Sequence, residues 1–198
     1  SSLVLYSFIR VSFWRTPRGA GLFVKIATRI RFFSPIHKIW LYLFERLRSD
    51  NKVQPKYAFQ TGMCWLQFCL NHDRPNDALH VAEIVKEVPV DPPWLGWWHE
   101  RVTVAWNMLG NHTEFERAAL ESLQYADVHD LADMKMLSLR WAVDALGGNG
   151  KYSEALALID RHKDVAGSID AGTLECLRKQ QYPKVRYKSG TININDTL

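Results

Sequence analysis

Residues 137–164 read LSLRWAVDALGGNGKYSEALALIDRHKD, in which two apolar segments flank a short turn rich in glycine and asparagine. On both sides of the turn, apolar residues recur every three or four positions, which is the periodicity of an amphipathic helix. Glycine and asparagine readily adopt the left-handed conformation that ends a helix. The small Ala155 allows the second helix to approach the first closely. The stretch therefore predicts a helix-turn-helix unit.

Two earlier stretches repeat this order of helix, turn and alanine. In each of the three, a leucine ends the first helix and an alanine follows eight or nine residues later, at Ala78, Ala118 and Ala155. The alanines are 40 and 37 residues apart, a period typical of stacked helix-turn-helix units. Such a unit cannot bury its apolar face alone, so neighbouring units must stack. The sequence thus predicts an all-α fold, an α-solenoid of about three repeats.

The last stretch also resembles a tetratricopeptide or pentatricopeptide unit, through the Gly-Lys-Tyr-x-Glu-Ala-Leu sequence at residues 150–156. Weaker copies lie around residues 76–79 and 116–120, and the resemblance covers about residues 55–180. It implies a helical-repeat fold and a role in binding other macromolecules. Proteins of these families share the fold and differ in their partners.

Pentatricopeptide proteins usually bind single-stranded RNA in organelles, and their sequence-reading members place small polar residues near the start of each first helix. Alignment on the alanines puts the following pairs at those positions: Cys64 and Trp65, Thr103 and Val104, and Arg140 and Trp141. Bulky apolar groups cannot form the paired hydrogen bonds that distinguish bases. We therefore expect no sequence-specific reading of RNA by the repeats.

Helical periodicity and helix-ending signals extend through most of the chain. Pro55 and the pair Pro92-Pro93 suit the first turn of a helix, with Asp91 as a cap. The predicted helices are residues 20–33, 36–48, 55–70, 75–88, 92–109, 113–126, 130–147, 151–164 and 169–180. We divide the chain into a basic N-terminal helical extension (1–50), helical repeats (51–180) and a polar C-terminal tail (181–198).

Basic residues are concentrated in the N-terminal extension. Residues 1–50 contain nine Lys or Arg and two acids, whereas residues 51–198 contain sixteen bases and nineteen acids. No acid precedes Glu45, and the bases are mixed with serines and aromatic residues, a composition typical of a mitochondrial targeting segment. We therefore expect a mitochondrial protein that retains this segment.

Three uses of the basic extension are open. It is an arm that binds RNA, or a pair of amphipathic helices with solvated basic faces, or a segment that contacts an anionic membrane surface. The residues expected to bind RNA or an anionic surface are Arg10, Arg15, Arg18, Lys25, Arg29, Arg31 and Lys38. Their charges interrupt the apolar runs, so we expect no transmembrane helix.

Three tryptophans, Trp94, Trp97 and Trp98, lie within five residues after the double proline. Two interpretations are open for them. The rings form an aromatic ledge on which a partner's peptide or helix docks, or they seal the joint between neighbouring repeats. We name these three residues as the expected partner-binding site.

Motifs for chemistry are missing from the full sequence. There is no HExxH motif, no CxxC pair among the three cysteines and no phosphate-binding loop. We therefore expect no enzyme activity, no catalytic or metal-binding residues and no cofactor.

Together these features predict a non-catalytic scaffold subunit of a large mitochondrial assembly, with the mitochondrial ribosome favoured. The repeats would bind other protein subunits, and the basic arm would bind RNA. One alternative is a peripheral subunit of mitochondrial ATP synthase or of a respiratory complex. Euglenozoan ATP synthases contain a small pentatricopeptide-like subunit on the catalytic head, to which this chain is similar in size and repeat number. A second alternative is an organellar RNA-binding factor.

Overall fold

The structure is a computed structural model that describes residues 33–181 of the chain. Every regular element in this range is a helix, which confirms the predicted all-α class for the described residues. The chain divides after Val90 into two compact units. Within residues 33–181, no helix is long and apolar enough to cross a membrane.

The first unit contains the described helices α1 (Phe33–Ser49), α2 (Pro55–Asn71) and α3 (Pro75–Lys86). Helix α2 packs against both α1 and α3. Proline begins α2 and α3, a position where its missing N–H is not needed. The core is rich in large aromatic rings, and the following aromatic side chains are fully buried: Trp40, Phe44, Phe59, Trp65 and Phe68.

Gly62 allows the three helices of the first unit to pack closely. A Cβ atom at this position would lie 3.0 Å from Cε2 of Phe44 on α1, and it would overlap Val85 of α3. Only a residue without a side chain fits between these two groups. The close approach of α2 to its neighbours thus depends on a glycine in the middle of a helix.

The second unit contains α4 (Pro92–Leu109), α5 (His112–Val128), α6 (Ala132–Gly148), α7 (Tyr152–Arg161) and α8 (Ala171–Arg178), with a 3₁₀ turn at Ala166–Ser168. Consecutive helices pack against each other, and α4 also contacts α6. The side chain of Asn111 caps α5 by accepting from the Glu114 N–H, and Asp170 caps α8 in the same way.

Small residues line the face that α5 turns to its neighbours. Ala118, Ala119, Ser122 and Ala126 are all buried. The hydroxyl of Ser122 lies 2.7 Å from that of Ser138 on α6, so the two buried groups form a hydrogen bond. Small side chains and this satisfied polar pair allow α5 and α6 to lie close together.

Left-handed residues end the first helix of each hairpin. Asp73 follows α2, Gly110 follows α4 and Gly150 follows α6, all with positive φ. They are 37 and 40 residues apart, so the helix-turn-helix unit recurs with the period expected from the sequence. The three hairpins are α2/α3 in the first unit, and α4/α5 and α6/α7 in the second.

The structure corrects the alignment of these hairpins. The buried residue three positions after the start of the second helix is Ala78 in α3, Phe115 in α5 and Ala155 in α7. Ala118 lies one turn further along α5. The alignment on alanines was therefore wrong by three residues in the second hairpin, because a helix buries small residues on several successive turns.

The predicted helices from residue 36 onward are confirmed with ends shifted by at most three residues at α1 to α7. The helix predicted at 169–180 is α8, which is shorter than predicted and starts two residues later. The second helix of the last hairpin ends at Arg161 rather than at residue 164, and the side chain of the next residue, His162, bonds Asp127 of α5. The predicted helix 20–33 lies outside the described residues apart from its last position, as does nearly all of the tail at 181–198. The predicted domain boundaries stay predictions.

Candidate interaction surfaces

The tryptophan-rich start of α4 does not present its three rings equally. Trp98 is buried, with 6 % of its surface exposed, whereas Trp94 and Trp97 are partly exposed. Gly96, which lies between these two residues in the sequence, is buried. A Cβ atom at this position would lie 3.2 Å from side-chain atoms of both Leu131 and Met134. One ring of the expected partner-binding site therefore belongs to the core, and two are accessible to a partner.

A column of three aromatic rings, which we did not predict from the sequence, lies beside this segment. The ring of Tyr125 on α5 lies 4.6 Å from that of His99 on α4 and 4.4 Å from that of His129. The Tyr125 hydroxyl donates to the carbonyl oxygen of Pro92 at 3.3 Å. These contacts hold the end of α5 against the beginning of α4.

Of the seven basic residues expected to bind RNA or an anionic surface, Lys38 lies within the described residues and the other six lie outside them. Lys38 is exposed on α1. The same face of α1 carries Tyr42 and Arg46, and the Arg46 guanidinium donates to the Tyr42 hydroxyl at 3.3 Å. The opposite face buries Trp40 and Phe44. Two of the large aromatic residues of α1 thus stabilise the fold and are not accessible to a nucleic acid.

The two units differ in charge. Residues 33–90 contain seven bases and six acids, whereas residues 91–181 contain nine bases and fourteen acids. The described part of the second unit is therefore acidic, with a net charge of −5 when histidine is neutral. An acidic surface repels a polyanion such as RNA.

The pair of Cys69 and His37 is the described arrangement that comes nearest to a nucleophile with a base. The Cys69 sulfur lies 4.0 Å from Nδ1 of His37, and the indole N–H of Trp65 donates to the same nitrogen at 3.1 Å. Burial raises the pKa of Cys69 to about 12 and lowers the pKa of His37. The thiol is thus protonated at neutral pH and is a core group rather than an activated nucleophile.

A second polar cluster joins three helices of the second unit. The ring of His162, which is buried, lies with Nε2 2.9 Å from Asp127 of α5 and with Nδ1 3.0 Å from the carbonyl oxygen of Leu158. Both neighbours are acceptors, so the two contacts are both hydrogen bonds when the ring carries two protons. Lys135 of α6 also binds Asp127, at 3.2 Å. The cluster connects α5, α6 and the end of α7.

Asp127→Asn should make stability less dependent on acid pH. Burial acts to raise the pKa of Asp127, but the hydrogen bonds from His162 and Lys135 outweigh it and lower the pKa. A lowered carboxyl pKa stabilises the fold above the unfolded value, about 3.9, and this contribution is lost as pH falls through the folded value. We expect the free energy of unfolding of the variant to be about 1 kcal/mol lower at pH 7. The expected loss is small because the Asp127 side chain is 36 % exposed and solvent screens its interactions.

Urea unfolding of the two proteins at pH 7 and pH 3 measures this difference, which should shrink at the lower pH. Asp160→Asn is the matched control, because Asp160 pairs with Lys163 and both side chains are largely exposed. Its effect should stay within about 0.5 kcal/mol at either pH. Equal stability of wild type and Asp127→Asn at pH 7 would show that the bonds from His162 and Lys135 to Asp127 do not stabilise the fold.

A third polar cluster joins successive hairpin turns. Asn149, in the turn between α6 and α7, donates to the carbonyl oxygen of His112 at 3.2 Å and to Glu116 at 2.6 Å. Lys151 donates to Glu116 at 2.5 Å. Burial acts to raise the pKa of Glu116, but these bonds outweigh it and lower the pKa. The start of α5 is therefore bonded to the start of α7.

Charged groups elsewhere in the second unit also pair with each other. Glu100 and Arg101, neighbours on α4, are both buried and form an ion pair. Among residues 33–181, no group of three His, Cys, Asp or Glu side chains is arranged to hold a metal ion.

The described residues thus define an all-α protein in which the polar clusters bond one helix to the next. The accessible features at the predicted sites are the outward face of α1 and the partly exposed tryptophans of α4. Elsewhere in the described residues, Val128 and Met136 are large apolar side chains that are exposed, by 72 % and 46 %. No family model, no curated protein and no solved structure matches the chain.

Proposed function

We propose that this chain is a non-catalytic scaffold subunit of a large mitochondrial assembly, with the mitochondrial ribosome favoured. The three hairpins are tetratricopeptide- or pentatricopeptide-like repeats of one α-solenoid, and their outer surfaces bind other protein subunits. The observation that carries the proposal is the recurrence of the hairpin, with left-handed turn residues at Asp73, Gly110 and Gly150. Repeats of this kind present extended surfaces to macromolecular partners.

The polar groups of the second unit support a role in assembly. Ser122 with Ser138, Glu116 with Lys151, and Asp127 with His162 each join different helices. Such bonds hold the helices of the second unit together, and a preorganised surface loses little conformational entropy when a partner binds.

The location and the RNA contact rest on the N-terminal sequence. Its composition is that of a mitochondrial targeting segment, and its bases are suited to the phosphates of ribosomal RNA. In this proposal the basic extension anchors the protein on RNA while the repeats contact neighbouring protein subunits. The partly exposed Trp94 and Trp97 are the proposed points of contact with a partner protein.

Sedimentation of native mitochondrial extract through a density gradient, with and without ribonuclease, tests the proposal. We expect the chain to migrate with ribosomal particles and to leave that position after nuclease treatment. The same extract with heat-inactivated nuclease is the control. Nuclease-resistant migration with a membrane complex would instead support the ATP synthase or respiratory alternative. Slow sedimentation as a free protein would favour the second alternative, an organellar RNA-binding factor.

A further inference from the structure

We propose that the outward face of α1 binds single-stranded RNA, with Lys38 and Arg46 on phosphates and Tyr42 stacked on a base. The inference rests on the proposed RNA anchoring and assigns it to particular described residues. We call Lys38, Tyr42 and Arg46 the α1 stripe.

The α1 stripe follows from the geometry of the helix. Its three residues are four positions apart, so they lie in one row on the surface of α1. With a rise of about 1.5 Å per residue, Lys38 and Arg46 are about 12 Å apart along the axis. Two cations at this separation can contact different phosphates of one strand, with the tyrosine ring between them.

Tyr42 is suited to stacking because its ring is accessible. It is 46 % exposed, and the neighbouring Leu41 is 40 % exposed. The hydrogen bond from Arg46 to the Tyr42 hydroxyl, at 3.3 Å, places a cation at the polar end of the ring. Stacking of a base on an aromatic ring tolerates any base sequence. This agrees with the expectation that RNA is bound without sequence preference.

The charge of the chain favours a polyanion at this end. Residues 1–57 contain eleven bases and two acids, and α1 lies within that range. Residues 91–181 are acidic and repel a polyanion, so among the described residues the electrostatic attraction is strongest in the first part of the chain. Lys56 also lies over the ring of Tyr57, 5.4 Å from its centroid, but that ring is only partly exposed. The α1 stripe instead places two exposed cations and an exposed ring in one row.

A membrane surface fits α1 less well than RNA does. A helix that adsorbs to lipid needs a free apolar face to insert between headgroups. The apolar face of α1 is already buried in the first unit, since Ile36, Trp40, Leu43 and Phe44 are all in the core. The outward face offers two apolar side chains, Leu41 and Tyr42, between charged residues.

Binding of the full chain to a fluorescent single-stranded oligouridine, measured at several salt concentrations, tests the inference. We expect Lys38→Glu with Arg46→Glu to weaken binding more than tenfold and to reduce the salt slope by roughly 1.4, about 0.7 per phosphate contact. Tyr42→Ala should weaken binding roughly tenfold, whereas Tyr42→Phe, which keeps the ring, should bind within about twofold of wild type.

The matched control is Arg161→Glu with Arg178→Glu, which changes the net charge by the same amount at two exposed positions of the second unit. We expect this control to stay within about threefold of wild type. Circular dichroism of every variant confirms that its helices are retained.

Three results would overturn the inference. If the α1 variants bind oligouridine as wild type does, the RNA contact lies elsewhere in the basic extension, and the proposed function stands. If the control weakens binding as much as the double substitution in α1, net charge alone explains the effect. If wild type binds phosphatidylserine vesicles and not oligouridine, the basic part of the chain recognises lipid, and RNA anchoring also fails. The sedimentation experiment then decides independently whether the chain is a subunit of an assembly.

Discussion

Trp98→Ala should lower the free energy of unfolding by about 3–5 kcal/mol, as truncation of a buried tryptophan does. The ring is 6 % exposed and packs edge-on against His99 at 5.0 Å between centroids. Removing it leaves a cavity that the surrounding helices can fill only in part. Urea unfolding followed by circular dichroism measures the loss.

Trp97→Ala is the matched control, because Trp97 lies next to Trp98 on α4 and is partly exposed. Truncation there should cost less than half as much, since part of the ring already contacts solvent. A Trp98→Ala protein as stable as wild type would show that the ring does not belong to the core. Equal losses for the two variants would show that the difference in burial has no energetic consequence.

Trp97→Ala and a third variant, Trp94→Ala, separate the two interpretations of the tryptophan segment. Trp94→Ala and Trp97→Ala should leave the fold intact and reduce migration with the assembly if these rings contact a partner. Loss of folding in both variants would instead mean that all three rings are structural. The structure already assigns Trp98 to the core, so only the other two are informative about partner binding.

Gly62→Ala should lower the free energy of unfolding by about 1–3 kcal/mol, the usual cost of overpacking a core. Alanine in the middle of a helix normally stabilises relative to glycine by about 1 kcal/mol. Here the added methyl group meets Val85 and Phe44, so steric overlap outweighs the gain in helix propensity.

Gly148→Ala is the matched control, and its effect on the free energy of unfolding should have the opposite sign. Gly148 is the last residue of α6, and a Cβ there meets nothing within 4 Å. Stability should be unchanged or rise by up to about 1 kcal/mol, because the substitution restricts the unfolded chain without a clash. Thermal unfolding of both variants checks the pair. A stabilised Gly62→Ala would mean that α2 and α3 are further apart than the structure places them.

The positions of the helices could be predicted because their signals are local. Apolar spacing, prolines at helix starts and glycines at helix ends lie within a few residues of the boundary that they set. Pro55, Pro92 and Gly110 each mark an end that the structure confirms. The early end of α7 was missed, and the residue after it, His162, bonds Asp127, which is 35 positions away in the sequence.

The candidate interaction surfaces could be predicted only in part. The sequence indicated a tryptophan cluster and a basic extension, but it could not distinguish the buried Trp98 from its accessible neighbours. Lys38, Tyr42 and Arg46 are four positions apart, so they lie in one row wherever this segment forms a helix. That α1 buries Trp40 and leaves Tyr42 exposed depends on which face packs against the rest of the first unit.

The sequence alone was sufficient for the all-α class, the hairpin period and the contrast between basic and acidic parts. These features depend on helix periodicity, turn residues and charge, which are all properties of neighbouring residues. Burial depends on residues distant in the chain, so three-dimensional packing was needed to identify Phe115 as the equivalent of Ala78, to reveal the crowding at Gly62 and to separate the core rings from the accessible ones.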